Sequence, residues 1–149
     1  GGDVSLISST EGTLYAEISA LADDLSFRTI SLSDGTTSNR CTLRYGGTSN
    51  YINVLVSSNG AIAFDNNYTL PNIIDFNKIA VSYKINDFSL WVNGTKVKTG
   101  TSGNTPIGLN TLQFVSGSGT SNLFFGKTKC VAVFKEALSD TELTELTTI

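Results

Sequence analysis

Residues 78–97 read KIAVSYKINDFSLWVNGTKV, two apolar alternations broken by turn residues. Ile79, Val81 and Tyr83 alternate with Ala80, Ser82 and Lys84, as side chains do on opposite faces of an extended strand. The two strand-like runs are separated by Asn86-Asp87, and a second turn, Asn93-Gly94, sends the chain into TKVKT. Asn-Gly tolerates the positive φ of a tight hairpin turn, so the stretch predicts consecutive antiparallel strands. The same parity poses a question. If Leu90 and Val92 face the core, Trp91, the single tryptophan, faces the other way.

The pattern continues in both directions. GTLYAEISA alternates Leu14, Ala16 and Ile18 against Tyr15 and Glu17; FRTISLSD and RCTLRYG follow around GTTSN, with Ile30, Leu32, Cys41, Leu43 and Tyr45 inward. YINVLVS and AIAF flank Ser58-Asn59-Gly60, and TLQF and FFGKTKCVAVF supply the last strands. Val54, Ile62, Val81, Tyr83, Leu90 and Val92 are expected in the core. The loops TGTSGNTPIGLN and SGSGTS are rich in Gly, Ser, Thr and Asn and are expected at the surface. One helix is expected, at the end, where Ser139 and Glu142 form a capping box and Leu138, Leu143 and Leu146 an apolar stripe. The fold class is therefore all-β, an antiparallel two-sheet sandwich with one short C-terminal helix.

The chain of 149 residues, 40% hydrophobic and 15% charged, reads as one domain spanning 1–149. Its net charge of −3, with basic residues scattered, offers no footprint for nucleic acid. No apolar run approaches the roughly 20 residues that span a bilayer, so no membrane insertion is expected. The chain has no methionine, and its opening Gly-Gly reads as a junction rather than a translation start. We read the chain as the C-terminal domain of a larger parent protein.

Catalytic patterns are missing. Retaining glycosidases hold two carboxylates about 5 to 5.5 Å apart, and the sequence has no Glu-x-Asp-x-x-Glu run that would set such a pair along one strand. There is no histidine for general acid–base work, and no serine in a Gly-x-Ser-x-Gly elbow before a helix. The sequence reads as a non-enzyme requiring no cofactor. Cys41 and Cys130 lie in strand-like runs and read as buried thiols, with a single disulfide as the alternative.

WVNGTKV, then a glycine-bearing loop, then FFGKTKCVAVFKEALSDTELTEL resembles the C-terminal half of the laminin G-like and pentraxin-like jelly rolls of the concanavalin A-like lectin and glucanase fold. In those families an aromatic-Val-Asn-Gly hairpin precedes a glycine-led strand, an Ala-Leu-Ser and a short helix. The resemblance implies a jelly roll. Its Ser/Thr-rich ending is also similar to domains appended to phage fibres, which implies a virion-surface or extracellular location.

Two functions stay open on this reading. One is a non-catalytic carbohydrate-binding or receptor-binding adhesion module, whose partner is a cell-surface glycan or polysaccharide. The other is a structural domain that packs or forms a homo-oligomer without ligand. For the first, strand parity assigns Trp91, Asn53, Lys84, Tyr51 and Arg44 to the face away from the core, where an aromatic plate and polar groups suit a sugar. The competing reading packs Trp91 with Leu55 beneath TGTSGNTPIGLN. Asp65, Asn66 and Asn67, in the expected loop DNNYTLP, are candidate Ca2+ ligands, since calcium sites occur in the resembled families, or else form a plain Asx-rich turn.

Overall fold

The computed structural model describes residues 3–149; the N-terminal Gly-Gly lies outside the described residues. A 3-10 turn at Val4–Leu6 leads into β1 (Glu11–Ala20), β2 (Arg28–Ser33), β3 (Arg40–Tyr45), β4 (Tyr51–Ser58) and β5 (Ala61–Thr69). β6 (Asn77–Lys84), β7 (Asp87–Val92), β8 (Thr95–Gly100), β9 (Thr111–Gln113), β10 (Gly126–Phe134) and the helix α1 (Asp140–Thr147) complete the chain. The described residues form two five-stranded sheets, β10-β1-β6-β7-β8 and β5-β4-β3-β2-β9, with every pairing antiparallel. This is the expected two-sheet jelly-roll sandwich with a short C-terminal helix.

Alternation places the core between the sheets. Leu14, Ala16, Ile18, Val81, Tyr83 and Leu90 from the first sheet meet Ile30, Leu32, Leu43, Tyr45, Ile52 and Val54 from the second. The two large phenols are satisfied at the edges of this layer. Tyr45 donates from its hydroxyl to the Ile18 carbonyl at 3.1 Å, and Tyr83 to the Ser8 carbonyl at 2.7 Å. The expected turns hold too: Asn59-Gly60 and Asn93-Gly94 have φ of 49° and 79°, and of 49° and 82°.

Three expectations need correcting. Ile62 is 64% exposed rather than buried, because a bulge between Val56 and Ser57 sets Ile62 opposite Ser57 on the outer face while Phe64, opposite Val56, takes the core place. DNNYTLP is not a loop, since Asp65 to Thr69 continue β5 against β4. Strand pairing here overrides the poor strand propensity of Asp and Asn. Cys41 is buried, as expected, but Cys130 is exposed on the edge strand β10, and both are free thiols.

α1 answers the question about Trp91. Ser139 accepts from the Glu142 amide, and the Glu142 carboxylate accepts from the Ser139 amide at 2.8 Å, closing the capping box. The helix lies on the outer face of the first sheet, where Leu143 packs with Tyr15, Ala80 and Trp91, flanked by Leu138 and Leu146. Trp91 is 4% exposed and donates its indole N–H to Ser89 Oγ at 3.1 Å. Lys96 stands over the indole and also pairs with Asp140 in the first turn of the helix. Gly94 N donates to Thr147 Oγ1, which fixes the other end of α1 to the β7–β8 turn.

Candidate carbohydrate-binding face

The five residues expected to form one sugar-binding surface fall on two sheets. Trp91 and Lys84 belong to β7 and β6, whereas Arg44, Tyr51 and Asn53 belong to β3 and β4. Trp91 is covered by α1, and Lys84 pairs with Glu11 at 3.5 Å. Leu55, on the second sheet, does not pack with Trp91; the cover is the helix and not the loop TGTSGNTPIGLN. Parity found the correct faces. It could not show that those faces point away from each other across the sandwich.

Arg44, Tyr51 and Asn53 do come together. The register aligns Thr29, Arg44, Asn53 and Asn67 as one row across β2–β3–β4–β5, and Ser31, Thr42, Leu55 and Asp65 as the next. All point away from the core. Tyr51 shares this face of β4 and stands opposite Thr69. Of the candidate calcium ligands, Asp65 and Asn67 join this face, while alternation turns Asn66, opposite core Val54, to the other side. The three consecutive residues therefore do not form one cradle of side chains.

One side of the face is walled by the loop after β9. Ser31 Oγ donates to the Val115 carbonyl at 2.6 Å and accepts from Gly117 N at 3.0 Å, while Ser33 Oγ donates to the Gly117 carbonyl at 3.0 Å. Thr29 N donates to the Asn122 carbonyl at 2.9 Å. Gly117 is required in this wall, because its φ is 88° and a Cβ there would stand 2.7 Å from the Thr36 carbonyl oxygen. The wall buries Thr29, Ser31 and Ser33, while on the β3–β4–β5 part of the face Arg44, Tyr51 and Leu55 are partly exposed and Asp65 and Asn67 exposed around the buried Thr42 and Asn53.

The floor is polar and incompletely satisfied. Asn53, 5% exposed, donates from its side-chain amide to Asp65 Oδ1 at 2.6 Å and to Asn67 Oδ1 at 2.9 Å, leaving its own Oδ1 buried without a partner. Arg44 Nε and Thr29 Oγ1, in the same row, are also buried and unpartnered. Burying a polar atom without a partner costs about 1–3 kcal/mol, so this row is held at a cost to stability.

Burial lowers the proton affinity of Arg44, and nearby Asp65 partly restores it. A guanidinium nonetheless stays charged, so the row carries a partly buried positive charge that Asp65 offsets only in part.

Phe27 was not singled out by the sequence. Its ring centroid lies 4.7 Å from Arg44 Cζ, and the ring remains 45% exposed. The segment before β2 is held down by Arg28, which forms a two-pronged pair with Asp24 at 2.8 and 2.7 Å. Gly46 permits the approach, since a Cβ there would stand 2.4 Å from the Ser26 carbonyl oxygen. Leu25 in the same segment has φ of 63°, a strained value for a branched residue. An aromatic one residue before a strand and two arginines of equal parity on β3 are the signals that were available.

A cleft of about 510 Å3 lies elsewhere, between the 3-10 turn and β9. Val4, Leu6, Ile7 and Leu112 make it mainly apolar, and it lacks the converging polar groups a sugar needs.

The sequence model of the concanavalin A-like lectin/glucanases superfamily matches residues 2–144, and the chain belongs to that superfamily. No curated protein sequence matches it significantly. Among solved structures, the NanB sialidase of Streptococcus pneumoniae superposes with a TM-score of 0.73 at 19% identity, covering 95% of this chain and 24% of that one. The CBM40 of the Ruminococcus gnavus IT-sialidase, bound to α2,3 sialyllactose, gives 0.69 at 16% identity over 94% of this chain and 84% of that one. The binding domain of botulinum neurotoxin serotype G gives 0.66 at 14% identity, covering 97% and 38%. The chain thus spans about a quarter of the sialidase chain. At these identities the likeness concerns the fold.

Proposed function

We propose that this domain is a non-catalytic carbohydrate-binding module, and that its site is the open β3–β4–β5 face with Arg44, Asn53 and Tyr51 at its centre. The observation that carries the reading is the outward row Arg44–Asn53–Asn67, where a partly exposed guanidinium without an ion-pair partner among the described residues stands beside amide groups and shares its face with Tyr51. A saccharide supplies what such a row lacks, because its hydroxyls both donate and accept, and an acidic group meets the guanidinium in a charge-assisted pair. Tyr51, partly exposed on the same face, offers an aromatic surface for ring C–H groups.

The sialyllactose held by the R. gnavus CBM40 supports an acidic sugar as ligand class. The same domain type sitting inside much longer sialidase and toxin chains supports a parent protein that is extracellular or displayed on a virion, with this domain as its adhesive part. Calcium is not required by this reading, although Asp65 and Asn67 lie close enough to Asn53 to respond to an ion bound there. No described helix is long and apolar enough to cross a membrane.

The test is a panel of neutral and acidic oligosaccharides titrated by calorimetry against the parent domain and Arg44→Ala, with melting curves confirming that both fold. Binding of an acidic member that weakens at least tenfold in Arg44→Ala is expected. Binding by the parent that Arg44→Ala leaves intact would move the site off this face, and no binding to any member would favour a purely structural domain.

A further inference from the structure

We propose that the open face takes a saccharide with acidic groups on two separate sugar residues, one held at Arg44 and the other at Arg40. This rests on the reading of the face as a glycan site and names its ligand more closely. Arg40 and Arg44 have the same parity on β3, opposite Ser57 and Asn53 of β4. Four residues of extended chain set their Cα atoms about 13 Å apart. Between them lies the row Thr42–Leu55–Asp65, with Thr42 short and buried, Leu55 partly exposed and the Asp65 carboxylate at its far side on β5. A sugar chain along β3 would therefore cross an apolar step and carry its acidic groups at the two ends, away from Asp65.

The two guanidinium groups are held by different partners at opposite ends of β3. Arg40 donates from Nη1 to the Ser116 carbonyl at 2.7 Å and to Ser116 Oγ at 2.8 Å, while Arg44 rests on Phe27. This anchoring keeps them from converging on a single carboxylate. Among the described residues neither has a carboxylate within ion-pair distance; the ion pairs go to Arg28, Lys84, Lys96 and Lys129 instead.

Each arginine also keeps a buried Nε–H without an acceptor. Half-buried like charges on one strand are costly, and Arg40 feels both: burial first, then the charge of Arg44, lowers its proton affinity. Two anionic groups spaced along one ligand would relieve both charges. A ligand with one acidic group relieves only one.

The experiment compares three oligosaccharides of equal length by calorimetry: one with a single acidic residue, one with two acidic residues separated along the chain, and one with both acids on a single residue. The parent domain should hold the separated diacid about tenfold tighter than the monoacid, as one added charge-assisted contact would give, and the single-residue diacid no better than the monoacid. In Arg40→Gln, checked for folding by its melt, the ratio of the first two affinities should fall to about one, and Arg40→Lys should restore part of it. Equal affinities for monoacid and separated diacid in the parent, or a ratio that persists in Arg40→Gln, would overturn this proposal while leaving the glycan site standing. Failure of all three ligands to bind would remove the site and the proposal together.

Discussion

The ring of Phe27 lies against the guanidinium of Arg44, 4.7 Å from centroid to Cζ, and this contact joins the segment before β2 to the polar row of the second sheet. Arg44 has four side-chain torsions to order on binding, and a flat aromatic neighbour orders some of them beforehand. Phe27→Ala should therefore weaken acidic-glycan binding several-fold while shifting stability by about 1 kcal/mol or less, since the ring is half-exposed. Calorimetry with parallel melts checks this. Unchanged affinity would show that Arg44 is held by other contacts.

Trp91 serves stability in this account. Trp91→Ala empties the layer between β7 and α1 and should cost about 3–5 kcal/mol in a denaturant titration. The folded fraction should bind glycan as the parent does. A cost under about 1 kcal/mol would mean that the helix does not cover the indole in solution.

Acid should destabilise the domain through its hydrogen-bonded carboxylates. Asp24 is held far below the usual carboxylate range by the Arg28 guanidinium, and Glu142 is lowered by the Ser139 hydroxyl and amide. Their folded-state values lie below the unfolded ones, so the stabilisation is complete above the ordinary values of 3.8 and 4.5 and is lost as pH falls toward the lowered ones. Melting temperature should be flat near neutrality and fall below about pH 4, less steeply in Asp24→Asn. An identical acid slope in that variant would contradict the role of the Asp24–Arg28 pair.

The two thiols should separate cleanly. Cys130 is exposed, whereas Cys41 is buried and burial pushes its thiol up. A thiol reagent should modify one cysteine in the native protein and the second only on unfolding. Slow modification of both under native conditions would show the core opening or β10 covered.

The sandwich was legible because buried strands leave a period of two that few other structures mimic, and because Asn59-Gly60 and Asn93-Gly94 mark their turns. Ser139 and Glu142 announced the helix equally well. Ile62 was misplaced because parity carries no warning of a bulge, and one extra residue reverses every later side chain. Asp65 to Tyr68 were misread as loop because their strand pairing is decided by β4 and not by their own composition. The candidate face was half legible. Parity put Arg44, Tyr51 and Asn53 on an outer face, but Trp91 and Lys84 joined them only because parity is defined within a strand and says nothing of which sheet a strand enters.

The most direct test of the glycan face is a titration of the isotopically labelled domain with sialyllactose, following backbone and side-chain amide resonances. The account predicts that the shifted signals cluster at Thr29, Arg44, Asn53 and Asn67, including the Asn53 side-chain amide that bridges Asp65 and Asn67. Shifts gathered instead around Trp91 and α1, or confined to the loop at 99–110, would contradict it.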